Sequence, residues 1–486
     1  MTPLILFNNS YARLPEDFFT PVLPTKVASP RLVAFNHKLA QELGLDAGRL
    51  ATPEGAEIFA GTRIPQGAEP LAAAYAGHQF GQFVPRLGDG RAILLGEVRD
   101  QAGVSRDIQL KGAGLTAFSR RGDGRAALGP VLREYLVSEA MAALGIPTTR
   151  ALAAVTTGET VWRDRALPGA ILTRVATSHI RIGTFQFFAA RGDETNLRLL
   201  ADYAIARHYP AATSAPSPYL ALLEGVIARQ AALVAQWLLV GFVHGVMNTD
   251  NMSISGETID YGPCAFMDNY NPATVFSSID TAGRYAYDRQ PDIALWNLCR
   301  LAECLLPLLS PDEDTSAALA NAALRRFKDE FITAHLGGLR RKLGLTSSED
   351  GDAALAQGLL TLMAEHGADF TLTFRRLCDA ALDPAADASL FNGFDAWAPQ
   401  WRARLAKENT SPTTRYEAMR RANPAFIPRN HRVEAALGRA VEAGDFSEFE
   451  TLLTILATPY DDQPEYTAYA DPPPPGQSAY RTFCGT

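Results

Sequence analysis

The chain has 486 residues, of which 47% are hydrophobic and 20% charged, with a formal net charge of −8. A chain this long buries several cores without disulfide or metal staples, and its length suggests roughly three domains or a smaller number of larger ones. The acidic balance argues against a general binder of nucleic acid or anionic membranes, which would be basic, while leaving room for a local basic pocket. The longest apolar stretch, residues 231–243, is interrupted by Gln236 and falls short of the ~20 residues that cross a bilayer. Residues 1–9 show neither the basic n-region nor the apolar h-region of a signal peptide. Cys264, Cys299, Cys304, Cys378 and Cys484 lack CxxC spacing, so a reduced, cytoplasmic setting is expected.

In chain order, the first 70 or so residues are mixed and punctuated by Pro15, Pro21, Pro24 and Pro30, with a short amphipathic helix expected over 32–43. Residues 82–87 read as a strand, Gly88-Asp89-Gly90 as a turn, and 91–98 as a second strand. Asp107-Ile108-Gln109-Leu110-Lys111 alternates as a half-buried strand does, so 82–111 is expected to be an antiparallel meander. A basic, glycine-rich loop at 119–129 precedes a helix over 131–144, opened by Pro130 and stopped by Gly145 and Pro147. Two further strands are predicted at 151–155 and 169–175, and a long buried helix at 219–242. Residues 252–254 and 257–259 suggest a small hairpin around Ser255-Gly256, 290–460 is mostly helical, and the prolines from Pro472 to Pro475 form an extended spacer. Strands followed by a helical half suggest two lobes with a cleft between.

Several residues carry chemistry. Gly88-Asp89-Gly90-Arg91 reads most simply as a turn, although glycine N–H groups and an arginine also suit phosphates. Lys111 ends a strand, where solvation is common; an inward lysine holds nucleotide phosphates if a carboxylate fixes it. Glu134 lies on the stripe of Val137 and Met141, and a buried glutamate needs a partner; Glu139 is a rival for Lys111. Gly122-Asp123-Gly124-Arg125, after Arg120 and Arg121, precedes a helix N-terminus and suits an anion, or is simply a basic loop. The segment His244-Gly245-Val246-Met247-Asn248-Thr249-Asp250-Asn251 is followed, nine residues after Asn251, by Asp260-Tyr261-Gly262. An asparagine and an aspartate so spaced offer hard oxygen ligands to one Mg²⁺; a polar loop is the plainer reading. Arg174 and Arg181 would neutralise a triphosphate if they faced a cleft, and surface solvation is the simpler account.

Strand, glycine turn, strand, strand with lysine, helix with glutamate, long helix, His-Gly loop and Asp-Tyr-Gly follow the order of parts in a protein kinase. Asn251 stands seven residues after His244, as in kinase catalytic loops, but the base position two after the histidine is Val246. Valine accepts no proton, which puts an ordinary kinase mechanism in doubt. At this point the chain resembles the selenoprotein O family of pseudokinase-fold protein adenylyltransferases. The resemblance rests on Asn9-Ser10-Tyr11-Ala12-Arg13-Leu14-Pro15, Tyr75-Ala76-Gly77-His78-Gln79-Phe80-Gly81, Gln109-Leu110-Lys111-Gly112-Ala113-Gly114, the 244–251 loop, Asp260-Tyr261-Gly262-Pro263, Asn423-Pro424 and Ile427-Pro428-Arg429-Asn430-His431-Arg432. It covers nearly the whole chain.

The resemblance implies an α+β, kinase-like fold: an N-terminal extension (1–75), an N-lobe (76–180), a C-lobe (181–345) and a helical C-terminal extension (346–486). It implies transfer of AMP from ATP, bound inverted relative to kinases, to Ser, Thr or Tyr hydroxyls of proteins, with auto-modification and loss of pyrophosphate. Lys111 would contact phosphates and pair with Glu134. Gly88, Gly90, Arg91, Asp123, Gly124, Arg174 and Arg181, with Lys111 and Asp260, would hold the nucleotide. Asn251 and Asp260 would bind Mg²⁺ or Mn²⁺, and Asp250 would be the general base. Cys484 holds the place of the selenocysteine of many members, some of which bridge the tail to the activation-loop region; the usual partner cysteine is missing around Phe276-Ser277-Ser278, and Cys264 is the substitute this sequence offers. Neither nucleic acid nor membrane is an expected partner, and a monomer is expected. The rival readings are a divergent kinase, or a nucleotide-binding scaffold without catalysis.

Overall fold

The structure is a computed structural model, and it describes residues 4–383, 385, 386, 390, 393–474 and 481–483. Its N-terminal part is built on an antiparallel sheet. In chain order the strands are β1 (Phe19–Pro21), β2 (Arg31–Phe35), β3 (Leu71–Ala73), β4 (Gly77–Gln79), β5 (Gln82–Val84), β6 (Ala92–Arg99), β7 (Ser105–Lys111), β8 (Ala126–Ala127), β9 (Arg150–Trp162) and β10 (Ala166–Ala176). The sheet order is β1-β3-β6-β7-β10-β9-β2, with β8 paired to β10, while β4 and β5 form a separate hairpin. Helices α1 (His37–Glu42), α2 (Ala47–Leu50) and α3 (Pro53–Phe59) precede β3, and α4 (Leu128–Ala143) lies between β8 and β9.

Alternation along the strands sends successive side chains to opposite faces. Ile108 and Leu110 of β7, with Ile93, Leu95, Val155 and Ile171, pack against Leu39, Leu50, Ile58 and Phe59 of α1–α3. The opposite face, with Ala151, Ala154 and Leu172, is covered by Val131, Leu132 and Leu136 of α4. Gln109 and Lys111 fall on that second face, and their partners across the β7–β10 ladder are Arg174 and Leu172. The sheet register therefore delivers Lys111 and Arg174 to the same side, next to α4.

The rest of the chain is helical: α5 (Ile182–Ala189), α6 (Glu194–His208), α7 (Pro218–Leu239), α8 (Gln290–Leu309), α9 (Glu313–Lys342), α10 (Asp352–His366), α11 (Phe370–Leu382), α12 (Phe394–Leu405), α13 (Pro412–Ala422), α14 (Asn430–Ala443) and α15 (Ser447–Leu456). Between α7 and α8 runs a short antiparallel pair, β11 (Phe242–Val243) and β12 (Ala265–Phe266). The helix α7 is long and apolar enough to cross a membrane, yet Leu222, Val226, Leu233 and Trp237 are buried in the helical core. Residues from α14 and α15, including Val433, Leu437, Phe449 and Leu452, return to pack on α4.

Several expectations are corrected. Residues 32–43 are not one helix: Leu32 and Phe35 lie in β2, paired to β9, and Asn36 then caps α1 by accepting from Leu39 N at 2.9 Å. A short apolar run fits either period, and the open edge of β9 selects the strand. Gln82 does not start a meander with β6; β5 pairs with β4 through Phe80 and Gly81, both at positive φ (51° and 84°), as a type I′ turn requires. Gly88–Arg91 is consequently no hairpin turn but a loop leading into β6. Residues 252–254 and 257–259 do not pair with each other. Ser253 bridges to Arg181 and Thr258 to Thr148, because the starts of α5 and β9 offer backbone partners: Ile182 N donates to Met252 O at 3.0 Å and Thr149 N to Thr258 O at 2.9 Å. The predicted strands at 151–155 and 169–175 extend to thirteen and eleven residues. Pro475 of the proline run lies outside the described residues.

Candidate active site

Lys111 reaches across to α4 and to the Asp-Tyr-Gly segment. Its Nζ donates to Glu134 Oε2 at 2.6 Å and to Asp260 Oδ1 at 2.8 Å. Arg174 makes the parallel pair, with Nε on Glu134 Oε1 and Nη2 on Asp260 Oδ1 at 3.0 Å. Two cations and two carboxylates thus interlock, which is the condition for keeping charge in a dry site. Glu139, the rival, is engaged elsewhere, with Arg150 Nη2 at 2.8 Å and Asn36 Nδ2 at 2.7 Å. Burial opposes ionisation of Asp260, but Lys111, Arg174 and Arg91 outweigh it and hold its carboxyl well below the usual range. Glu134 behaves alike: Arg174 and Lys111 overcome burial and lower it. Asp260 also adopts a left-handed φ of 69°, a strain of the kind that collects at functional sites.

Arg174 and Arg181 are both 5% exposed, so the surface reading is wrong for them: the cross-strand register and the start of α5 turn them inward. Arg181 Nη1 donates to Asp250 O at 3.0 Å, its Nε to His179 O at 3.2 Å, and its guanidinium lies 4.4 Å over the Tyr75 ring. Its Nη2 is 3.9 Å from Asp89 Oδ1. Arg181 therefore links the glycine loop to the 244–251 loop.

Gly88 has φ +71°, and a Cβ there would overlap the Phe118 ring; at Gly90 it would lie 2.8 Å from Phe118 O. The two glycines let the 88–91 loop lie flat on residues 116–119, where Thr116 Oγ1 donates to Asp89 O at 2.7 Å. Asp89 itself is buried and accepts from Ala73 N and Gln109 Nε2, each at 3.2 Å. Asp123 stands apart from the lysine cluster in its bonding: it pairs with Arg163 Nη1 at 2.8 Å. Gly124 is left-handed, and a Cβ there would strike Gly114.

The 244–251 loop is assembled around buried polar contacts. His244 is fully buried; its Nε2 donates to Ile259 O at 2.9 Å, tying this loop to the residue before Asp260. Val246 is buried and apolar. Asn251 Nδ2 donates to Val246 O at 3.1 Å. Asp250 is 7% exposed, and burial pushes its carboxyl up to about 6. Its Oδ2 accepts from Gln79 Nε2 at 3.2 Å, while Oδ1 has no hydrogen-bond partner among the described residues. The β4–β5 hairpin covers this loop: His78 N donates to Thr249 Oγ1 at 2.7 Å and Phe80 N to Asn248 Oδ1 at 3.0 Å. Sequence reasoning gave none of these hairpin residues a role. The signal that could have found Gln79 is its place inside the Tyr75–Gly81 motif on which the family resemblance rests.

Asn251 and Asp260 supply the hard oxygen donors that suit Mg²⁺ or Mn²⁺ together with nucleotide phosphates. Among the described residues, no group of three or more His, Cys, Asp or Glu side chains gathers as a metal cluster. Cys264 is buried, and burial pushes its thiol up to about 12. Cys484 lies outside the described residues, although Thr482 Oγ1 donates to Pro263 O at 2.6 Å.

The family model for protein adenylyltransferase SelO matches residues 4–457. A protein nucleotidyltransferase YdiU of Methylorubrum extorquens is 67% identical over 498 residues, with all of both chains covered. Proteins of the same name from Methylorubrum populi and Rhodopseudomonas palustris are 66% and 63% identical, again over the full length of both chains. With the lysine–glutamate–aspartate cluster and the valine-bearing loop in place, this similarity means that the chain belongs to the protein adenylyltransferase SelO family.

Proposed function

We propose that the protein transfers AMP from ATP to Ser, Thr or Tyr hydroxyls of protein substrates, itself included, and releases pyrophosphate. The nucleotide binds inverted relative to a kinase, between an N-lobe (76–180) and a C-lobe (181–345) flanked by the 1–75 and 346–486 extensions. The observation that carries this reading is the 244–251 loop. Val246 is apolar where a kinase has its base, whereas Asp250 is buried with one oxygen lacking a donor among the described residues. A carboxyl raised toward neutrality is suited to general-base work.

In the proposed reaction the acceptor hydroxyl attacks the α-phosphorus. The bond from that phosphorus to the bridging oxygen of the β-phosphate breaks, and pyrophosphate leaves with the bonding pair. Asp250 takes the hydroxyl proton. Lys111, Arg91, Arg174 and Arg181 offset the negative charge of the phosphates, and Glu134 keeps Lys111 and Arg174 oriented. Gly88, Gly90, Asp123 and Gly124 shape the two loops around the nucleotide. Asn251 and Asp260 would hold Mg²⁺ or Mn²⁺, which supplies charge neutralisation to the phosphates. The protein acts as a cytoplasmic monomer.

The test is intact mass after incubation with ATP and Mg²⁺ or Mn²⁺, paired with ATP labelled on the α- or the γ-phosphate. One added AMP and α-label, both lost in Asp260→Ala, are expected. An added phosphate with γ-label would return the protein to the kinases. Nucleotide binding without transfer to this chain or to added proteins would leave a scaffold.

A further inference from the structure

We propose that Gln79 is a positioning residue for the Asp250 carboxylate, resting on the reading of Asp250 as the base. The β4–β5 hairpin stands outside the main sheet, and its polar groups converge on one loop. The backbone donors of His78 and Phe80 are spent on Thr249 and Asn248. Tyr285 OH donates to the same Asn248 oxygen at 2.7 Å. Thr249 Oγ1 in turn donates to Gln186 Oε1 at 2.6 Å, and Gln186 Nε2 bonds His78. The hairpin is thus locked over the loop on either side of Gln79.

Within that lock, Gln79 Nε2 is, among the described residues, the side-chain donor that reaches the Asp250 carboxylate, at 3.2 Å on Oδ2. The other oxygen, Oδ1, faces the Cα of Gly77, where an added Cβ would sit 2.7 Å away. One oxygen is held by the Gln79 amide, and the hairpin comes close to the other only at Gly77, where there is no side chain to displace it. A general base acts through the direction of its lone pairs, and a small misplacement costs rate steeply. A neutral amide donor fixes the direction of the carboxylate through one hydrogen bond and brings no cation into the loop. Arg181, the nearest cation by bonding, is directed instead to the backbone oxygen of Asp250.

The experiment measures auto-modification and transfer to a protein acceptor by Gln79→Leu, Gln79→Glu, Asp250→Asn and Gln79→Leu/Asp250→Asn, with ATP affinity measured separately. For Gln79→Leu, kcat is expected to fall about 100-fold with KM for ATP and the melting temperature little changed. Gln79→Glu, which places a second carboxylate beside the first, is expected to be no better. In the Asp250→Asn background, Gln79→Leu is expected to cost nothing further, because there is no carboxylate left to aim. Equal losses in both backgrounds would mark Gln79 as merely structural and overturn the proposal, as would a wild-type kcat in Gln79→Leu. Full activity in Asp250→Asn would remove the base itself, and the role of Gln79 with it; a dead Asp250→Asn beside an active Gln79→Leu sinks only the latter.

Discussion

At the scale of single residues, the contrast between Glu134 and Glu139 shows how much neighbours decide. Both lie on α4 and both are acidic, but Glu134 is closed in by Lys111 and Arg174 whereas Glu139 answers Arg150. Periodicity put Glu134 on the apolar stripe and could not choose between them. Lys342, at the end of α9, is a residue with no sequence signal at all. Its Nζ lies 4.3 Å from the Phe374 ring centre and 5.6 Å from that of Phe370, and burial pushes its amine down to about 7. The unfolded chain holds a normal lysine, so between about pH 7 and pH 10 it binds more protons than the folded chain, and stability rises with pH across that window. Lys342→Met is therefore expected to raise the melting temperature most at pH 7, with the gain shrinking toward pH 10. A gain independent of pH would show that the amine is charged in the fold.

At the scale of elements, α4 is held from three directions. Glu134 faces the sheet cations, and Arg133 Nη2 donates to Cys264 O at 2.5 Å and to Asn430 Oδ1 at 2.8 Å, with Nη1 on Glu434 at 2.6 Å. The helix that orients Lys111 is thereby fastened to the segment after Asp260 and to α14. The β4–β5 hairpin is the second positioning element, and a Cβ added at its Gly77 would lie 2.7 Å from Oδ1 of the candidate base. Gly77→Ala is expected to lower kcat at least tenfold, on the order expected for displacing a positioned carboxylate, while leaving ATP affinity within about twofold. Unchanged turnover would mean that Asp250 relaxes away from the new methyl without consequence. The hairpin escaped the sequence because its turn is Phe80-Gly81: a bulky residue at positive φ is rare, and the usual Asn-Gly or Asp-Gly cue is absent.

At the scale of the molecule, the C-terminal helices return to the candidate site region. Arg429, before α14, is 1% exposed on its side chain and joins Asp268, two residues after β12, at 2.7 Å to Asp369, before α11, at 2.6 Å. One guanidinium thus ties three distant stretches of chain at the base of the segment that follows Asp260. Removing it would leave two carboxylates without their cation. Arg429→Met is expected to cost about 3 kcal/mol or more, read as a lower denaturation midpoint with an unchanged slope. A midpoint equal to wild type would mean that the pair is replaced by solvent.

The sequence by itself determined the local elements whose signal is local. The turn and breaker residues bound α4, the apolar circumference of α7 marked a core helix, and the 244–251 and 260–262 motifs, with Val246 among them, marked the chemistry. Lys111, Glu134, Asn251 and Asp260 were legible as candidates from residue type and spacing, whereas Asp250, Arg174 and Arg181 took their roles from the family resemblance. Tertiary structure decided what depends on distant partners. It turned Arg174 inward by strand register and Arg181 by the start of α5, chose Glu134, drew 252–259 away from a hairpin and toward α5 and β9, and laid the β4–β5 hairpin over Asp250. The bonds of Lys111, Arg174 and Gln79 join groups brought together from far along the chain, and no short window of sequence contains both halves of any of them.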